Sequence, residues 1–90
     1  MKAKYSPQLQ KELNKIHKIN SKLSERIEKQ VALFKEDPKH PSLRTHKLSG
    51  TLKKMWSISI TSGIRMVYVV MEADEALFVK IGSHYEVYSK

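Results

Sequence analysis

The spacing of the apolar residues changes once along this chain, and that change limits the folds open to it. In the first half, apolar side chains recur three or four residues apart, which is the spacing of one helix face. The two series are Leu9, Leu13 and Ile16, then Leu23, Ile27, Val31 and Phe34. From Trp56 onward apolar and polar residues alternate, as in a half-buried strand. We therefore predict an α+β fold with a helical hairpin followed by antiparallel strands.

Residues at the ends of each apolar series predict where the helices begin and end. Ser6-Pro7 is a typical helix start, because the serine accepts a backbone bond and proline lacks the donor that would be unpaired there. Asn20-Ser21 can cap a second helix, and Asp37-Pro38 ends it, since the residue before proline avoids helical angles. Lys2 to Tyr5 is predicted to be an edge strand, and Lys39 to Thr45 a loop.

Three strands are predicted in the second half, after a turn at Ser49-Gly50. They are Trp56 to Ile60, Ile64 to Met71, and Ala76 to Ser83, with the tail Tyr85 to Tyr88 extending the last. Thr61 to Gly63 is predicted to be a three-residue loop with Gly63 in the left-handed conformation. Glu72 to Glu75 is predicted to be a polar loop.

These loops imply a register, and the register sorts the side chains onto two faces. The first loop pairs Trp56 with Tyr68, and the second pairs Met71 with Ala76, so that Arg65 lies opposite Gly82. The face toward the helices would carry Met66, Tyr68, Val70, Leu77, Val79 and Ile81. The other would carry Ser57, Ser59, Arg65, Lys80 and His84, with open backbone at Gly82 for a ligand. A two-residue first loop would instead place Trp56 beside Arg65, and we favour the arrangement with one apolar face.

Composition bounds the class of protein. Ninety residues suffice for one domain, predicted to span residues 1–90. The chain has no cysteine, which excludes disulfides and thiolate metal sites and fits a reducing cytoplasm. No apolar run reaches the roughly 20 residues of a membrane span. The net charge of +8 favours nucleic acid, an acidic protein or an anionic membrane as partner.

Arg65 and His84 are the central candidates for chemistry. A metal-free ribonuclease needs a cation at the phosphate, a base that takes a proton and an acid that gives one. The planar arginine side chain matches the phosphate oxygens, and histidine can give or take a proton because it titrates near neutral pH. The alternative is a surface Arg–Glu pair and a solvated histidine. Tyr88, near His84, could stack a base or pack as an anchor. Five basic residues could contact RNA phosphates, or could simply form a solvated surface. They are His46, Lys47, Lys53, Lys54 and Lys80. No metal-ligand spacing, phosphate-binding glycine loop or Ser/His/Asp triad is evident.

In order and spacing, four segments resemble the RelE/ParE superfamily of toxins, most closely the RelE, YoeB and YafQ messenger RNA interferases. The segments are H-K-L-S-G, W-S-I-S-I, G-I-R-M-V-Y and I-G-S-H-Y-E-V-Y. The resemblance covers nearly the whole chain. It implies a helical hairpin packed on a twisted, mainly antiparallel β-sheet. It also implies messenger RNA cleavage in the ribosomal A site, without metal or cofactor, through a 2′,3′-cyclic phosphate.

By position, the resemblance assigns roles to four residues. Arg65 would contact the scissile phosphate and His84 would be the general acid. Tyr88 matches an aromatic residue near the chain end, and His46 is the first candidate for the general base. Where YafQ-like members carry a histidine and an aspartate, this chain has Ser59 and Gly63.

Two other functions are compatible with the same resemblance. ParE-type members inhibit DNA gyrase on the same fold. A catalytically degenerate relative would only bind its antitoxin or an operator. In each case the implied partner is a cognate antitoxin, with an acidic segment that folds on the basic face of the toxin.

Overall fold

The predicted helices are present and are capped by the predicted residues. A computed structural model of the chain describes residues 1–48, 54–72 and 74–88. Helix α1 spans Pro7–Ile19 and helix α2 spans Ser21–Glu36. Ser6 Oγ accepts a bond from the backbone N–H of Leu9 at 3.2 Å. Asn20 caps both helices. Its backbone N–H donates to the carbonyl of Ile16 in α1, and its side-chain oxygen accepts from the N–H of Leu23 in α2.

Within the described residues, five strands form one sheet beside this helical hairpin. They are β1 (Lys2–Tyr5), β2 (His46–Lys47), β3 (Met55–Ser59), β4 (Ile64–Glu72) and β5 (Glu75–Ser83), in the order β1-β5-β4-β3-β2. β1 runs parallel to β5 and the other pairs are antiparallel, so the α+β, mainly antiparallel prediction is confirmed. β1 is an edge strand, as predicted. The two-residue strand β2, which pairs with β3, and a 3₁₀ turn over Pro41–Leu43 were not predicted.

The first hairpin has the predicted register but a different turn. Trp56 pairs with Tyr68, and the N–H of Ile60 donates to the carbonyl of Ile64 at 2.8 Å, which leaves three residues in the loop. Gly63 does not adopt the left-handed conformation that we predicted for it. The Thr61 hydroxyl holds this turn instead, since its oxygen accepts from the N–H groups of Gly63 and Ile64.

The second hairpin follows the predicted register over residues 64–67 and is shifted by one residue over residues 68–70. Arg65 pairs with Gly82, as predicted, but Tyr68 pairs with Phe78 and not with Val79. The physical reason is a β-bulge, in which β5 contributes one residue more than β4 and the side chains beyond it change face. The same bulge makes Val70, and not Met71, the partner of Ala76. A second irregularity follows, and Glu72 pairs with Glu75, so these two residues belong to the strands and not to the predicted loop.

The bulge changes the membership of both faces. Phe78 and Ala76 lie in the main core, whereas Val79 packs in a second cluster and Val70 is 48% exposed. The predicted core places of Val70, Leu77 and Val79 are therefore wrong, while those of Met66, Tyr68 and Ile81 hold.

The main core lies between the helices and the sheet, and aromatic rings form its centre. Phe34 of α2 has its ring centroid 4.9 Å from that of Tyr68 and 5.2 Å from that of Phe78. A smaller cluster of Leu48, Val67 and Val87 lies on the opposite face, where only polar residues were predicted. This cluster anchors the C-terminal helix α3 (His84–Tyr88) to the sheet. Among the helices in the described ranges, none is long and apolar enough to cross a membrane.

Candidate active site

Arg65 is held in place by three hydrogen bonds to neutral oxygens. Its Nε donates to Ser57 Oγ at 2.9 Å, and its Nη2 donates to the carbonyls of Arg44 at 2.6 Å and Ser57 at 3.3 Å. Ser57 is fully buried. Nη1 takes part in none of the three bonds. Because the partners are uncharged, the bonds fix the position of the guanidinium without neutralising it.

Arg44 has a left-handed backbone, with φ 46° and ψ 49°. This conformation costs a residue with a Cβ atom roughly 1–2 kcal/mol. It ends the 3₁₀ turn, and it is the same residue whose carbonyl accepts from Arg65. The strain is therefore located at a group that positions Arg65.

His84 is the first residue of α3, and the predicted extension of β5 through the tail is wrong. Ser83 Oγ accepts from the backbone N–H of Glu86 at 3.1 Å, and Glu86 Oε1 accepts from the N–H of Ser83 at 2.7 Å. This reciprocal pair is a capping box, which starts a helix and ends the strand. His84 thus lies exposed at a fixed corner, one residue beyond the Ile64–Ser83 pair.

The backbone at Gly82, predicted to be open for a ligand, is covered by the Glu86 side chain of this helix. A Cβ atom placed on Gly82 would lie 3.1 Å from both Cβ and Oε1 of Glu86. Lys80 Nζ donates to the carbonyl of Glu86 at 2.9 Å, so a lysine that we predicted to contact RNA also fastens α3. The bonds from Ser83, together with the nearby charge of Lys80, lower the pKa of Glu86.

The sheet register settles which basic residues share the face of Arg65. Directly paired residues point to the same side, and the pairs His46–Ser57, Ser57–Val67 and Val67–Lys80 form one row. The next row contains Ser59, Arg65 and Gly82. The predicted common face of Ser57, Ser59, Arg65 and Lys80 is therefore confirmed, and His46 belongs to it. His84, predicted to lie on the same face of the sheet, begins α3 instead.

The other predicted contact residues are more dispersed. Lys47 pairs with Trp56, and its Nζ lies 5.7 Å from the centre of that ring, on the side away from Arg65. Lys54 is exposed just before β3. Tyr88 lies in α3, but its side chain is outside the described part of the structure, as is the whole of Lys53.

The sequence prediction assigned no role at this site to four residues that contribute to it. Ser57 and Arg44 hold Arg65, Glu86 caps α3, and Tyr85 exposes 80% of its surface next to His84. The Ser83-His-Tyr-Glu86 spacing was an available signal for the capping box. No sequence signal could have found the strained Arg44. In the ranges that the structure covers, no group of three or more His, Asp or Glu side chains is placed to hold a metal ion.

The whole chain, and not only this site, matches one protein family. Residues 1–89 match the family described as bacterial toxin of type II toxin-antitoxin system, YafQ. The chain belongs to the YafQ family. It is therefore a type II toxin–antitoxin toxin of the YoeB/YafQ type, and the resemblance to the RelE/ParE superfamily is confirmed. Toxins of this type are generally ribonucleases.

Solved structures agree with this YafQ-family assignment at the level of the fold. A YoeB/ParE toxin from Agrobacterium tumefaciens superimposes with a TM-score of 0.80 at 21% identity, covering 94% of this chain and 100% of that one. YafQ from E. coli strain BL21(DE3) gives 0.73 at 14% identity, with 97% of each chain covered. YoeB in the YoeB-YefM complex from Staphylococcus aureus gives 0.71 at 20% identity, covering 94% and 98%. A comparison with curated protein sequences gives no match.

Proposed function

We propose that this YafQ-family toxin is a metal-independent endoribonuclease that cuts messenger RNA in the ribosomal A site. The observation that carries the proposal is the Arg65 guanidinium, which neutral oxygens of Ser57 and Arg44 fix without compensating its charge. Such a preorganised cation stabilises negative charge that develops on a phosphate. Substrate at the ribosome would place the toxin in the cytoplasm.

The proposed reaction is an internal displacement at phosphorus. The 2′-oxygen attacks the adjacent phosphate, the bond from phosphorus to the 5′-oxygen breaks, and a 2′,3′-cyclic phosphate remains. Arg65 binds the phosphate oxygens, and His84 gives a proton to the leaving 5′-oxygen. His46, on the face of Arg65, is our candidate for the base that takes the 2′-hydroxyl proton.

Aromatic and basic residues around this centre would hold the RNA. The exposed Tyr85 ring can stack a base beside His84, and Tyr88 is proposed for the same purpose from its position near the chain end. Lys47, Lys53, Lys54 and Lys80 are proposed to contact phosphates. Of the lysines that the structure describes, Lys80 is placed on the Arg65 face by the register, within the row that contains His46.

We also propose that a cognate antitoxin with an acidic segment binds this basic face. The solved YoeB-YefM assembly, from Staphylococcus aureus, is a complex of a toxin of this fold with a second protein. A chain of net charge +8 suits an acidic segment that orders on binding.

Induction of the toxin in growing cells, followed by primer extension on a translated messenger RNA, tests the nuclease. We expect new 5′ ends with the wild type. His84→Gln should lower the cleavage rate about 10²–10⁴-fold, and Arg65→Ala about 10²–10³-fold. His17→Gln is the matched control, because His17 bonds Ser24 on the helical hairpin, away from the site.

A supercoiling assay on the same proteins separates the alternatives. Loss of gyrase activity with intact messenger RNA would overturn the nuclease in favour of a ParE-like inhibitor. Growth arrest and cleavage unchanged in both site variants would show that the site is misplaced. Neither arrest nor cleavage by the wild type would indicate a degenerate, antitoxin-binding relative.

A further inference from the structure

A polar cavity of about 300 Å³ lies between α2, the 3₁₀ turn and the β3–β4 loop. Arg26, Arg44 and Arg65 line it, and they come from three separate segments of the chain. The remaining lining residues all carry hydroxyl groups: Ser42, Ser59, Thr61 and Ser62. The cavity therefore continues the surface of Arg65 toward the β3–β4 loop.

The hydrogen bonds around this cavity fix its walls and leave donors for a ligand. Arg26 Nε donates to the carbonyl of Ile60 at 2.8 Å, a bond that does not use its two terminal nitrogens. Thr61 Oγ1 accepts two backbone bonds, so the proton of its hydroxyl remains able to donate. The carbonyl of Arg44 is bound by Arg65, which ties two of the three arginines to one backbone segment.

The charges in the cavity are not balanced by the protein. Among the described residues that line it, there are three arginines and no aspartate or glutamate. A larger cavity at the other end of the sheet differs in this respect, since Lys2 and Lys4 share it with three acidic residues, and Lys4 pairs with Glu75 at 3.3 Å. Guanidinium and hydroxyl donors without acceptor charges fit an anion with several oxygens, which is a phosphate group.

We propose that this cavity binds a phosphate of the RNA adjacent to the scissile one, with Arg26 and Arg44 as its ligands. The inference rests on the proposed function, which assigns the scissile phosphate to Arg65. An RNA phosphate fits better than a free anion because Arg65 lines the cavity, so that one strand can pass from Arg65 into it. The second phosphate would set how far the strand advances, and hence which bond reaches His84.

The test measures binding of a short single-stranded RNA that is 2′-O-methylated, and so cannot be cut, by the full-length chain over a range of salt concentrations. Each phosphate contact contributes about 0.7 to the slope of log affinity against log salt for a single strand. We expect Arg26→Gln with Arg44→Gly to lower the slope by about 0.7. Glycine is chosen at residue 44 because it tolerates the left-handed backbone that holds Arg65. The matched control, Lys22→Gln with Lys29→Gln, removes two charges from exposed positions of α2.

The same RNA with one neutral methylphosphonate linkage, moved along the strand, locates the contacts. The wild type should lose affinity at two neighbouring linkages, and the arginine variant at one. Circular dichroism checks that the variants are folded, and Arg26→Gln alone provides a milder change if the double variant is not. Equal salt slopes for the arginine variant and the lysine control, or one sensitive linkage in the wild type, would overturn the proposal.

Titration with inorganic phosphate distinguishes a free-anion site. If phosphate shifts the Arg26 Nε–H resonance while the wild type shows one sensitive linkage, the cavity binds an anion and not RNA. Cleavage is scored separately. If the wild type shows two sensitive linkages but does not cleave messenger RNA, the nuclease proposal is rejected and the second phosphate site stands. If it cleaves messenger RNA but shows only one sensitive linkage, the second phosphate site is rejected and the nuclease proposal stands.

Discussion

At the scale of single residues, the position of Arg65 depends on the groups that hold it. Ser57 is fully buried and accepts from Nε of Arg65, and the strained backbone of Arg44 supplies a second acceptor. These oxygens restrict a long side chain that would otherwise sample many rotamers. A fixed guanidinium stabilises a transition state better than a mobile one, because no reorganisation is needed during the reaction.

We therefore expect Ser57→Ala to reduce cleavage while the protein stays folded. A hydrogen bond to a charged group contributes about 1.5–3 kcal/mol, so the rate should fall roughly 10- to 100-fold. If the variant still binds the phosphate, kcat should fall more than KM rises. The two constants are therefore measured separately. Ser24→Ala is the control, because Ser24 is also a buried hydroxyl, bonded to His17 away from the site. Equal rates for both variants would mean that Ser57 does not position Arg65.

At the scale of secondary structure, α3 is a short helix whose position depends on contacts at both of its ends. Ser83 and Glu86 cap its start, and Lys80 donates to the Glu86 carbonyl. Val87 is 1% exposed and packs with Leu48 and Val67 on the sheet. A helix this short is unstable alone, so these contacts determine where His84 lies.

The cap makes α3 sensitive to acid. Bonds from Ser83 lower the pKa of Glu86 below its ordinary value of 4.5 in the folded chain. Its stabilising effect is therefore fully present above pH 4.5 and is lost as the pH falls through the lower folded-state pKa. We expect amide protection in residues 84–88 to decline over that acid range. Glu86→Gln should remove this dependence, and identical pH profiles for the two proteins would contradict the prediction.

At the scale of the whole molecule, one aromatic cluster joins the helices to the sheet. Phe34 is completely buried and contacts both Tyr68 and Phe78. The site lies on the opposite face of the same sheet, so Arg65 keeps its position only while this core is intact. We propose that residues 1–90 form a single domain around it.

Truncation of the central ring tests the single domain. Phe34→Ala should lower the free energy of unfolding by about 3–5 kcal/mol, a large part of the 5–15 kcal/mol typical of small domains. Ile19→Ala, at a position 77% exposed, should change it by less than about 0.5 kcal/mol. Denaturant unfolding followed by circular dichroism and by Trp56 fluorescence should give one common transition. Separate transitions would show that helices and sheet unfold independently.

The sequence alone determined the features that depend on local chemistry. Apolar spacing located α1, α2 and strands β3 to β5, and the caps Ser6 and Asn20 located the helix starts, because propensity and hydrogen bonding act over a few residues. Alternation along the first hairpin also placed Ser57 and Arg65 on one face.

Only the tertiary structure decided the features that depend on distant contacts. The bulge at Val79 moved Phe78 into the core, since the fit of Phe78 against Phe34 outweighs regular pairing. The tail became α3 because its cap and the burial of Val87 offset the weak helical tendency of five residues. The left-handed Arg44 and the cavity shared by three arginines join segments that local patterns do not connect. The sequence thus determined which residues could do chemistry, and tertiary packing decided which oxygens would hold them.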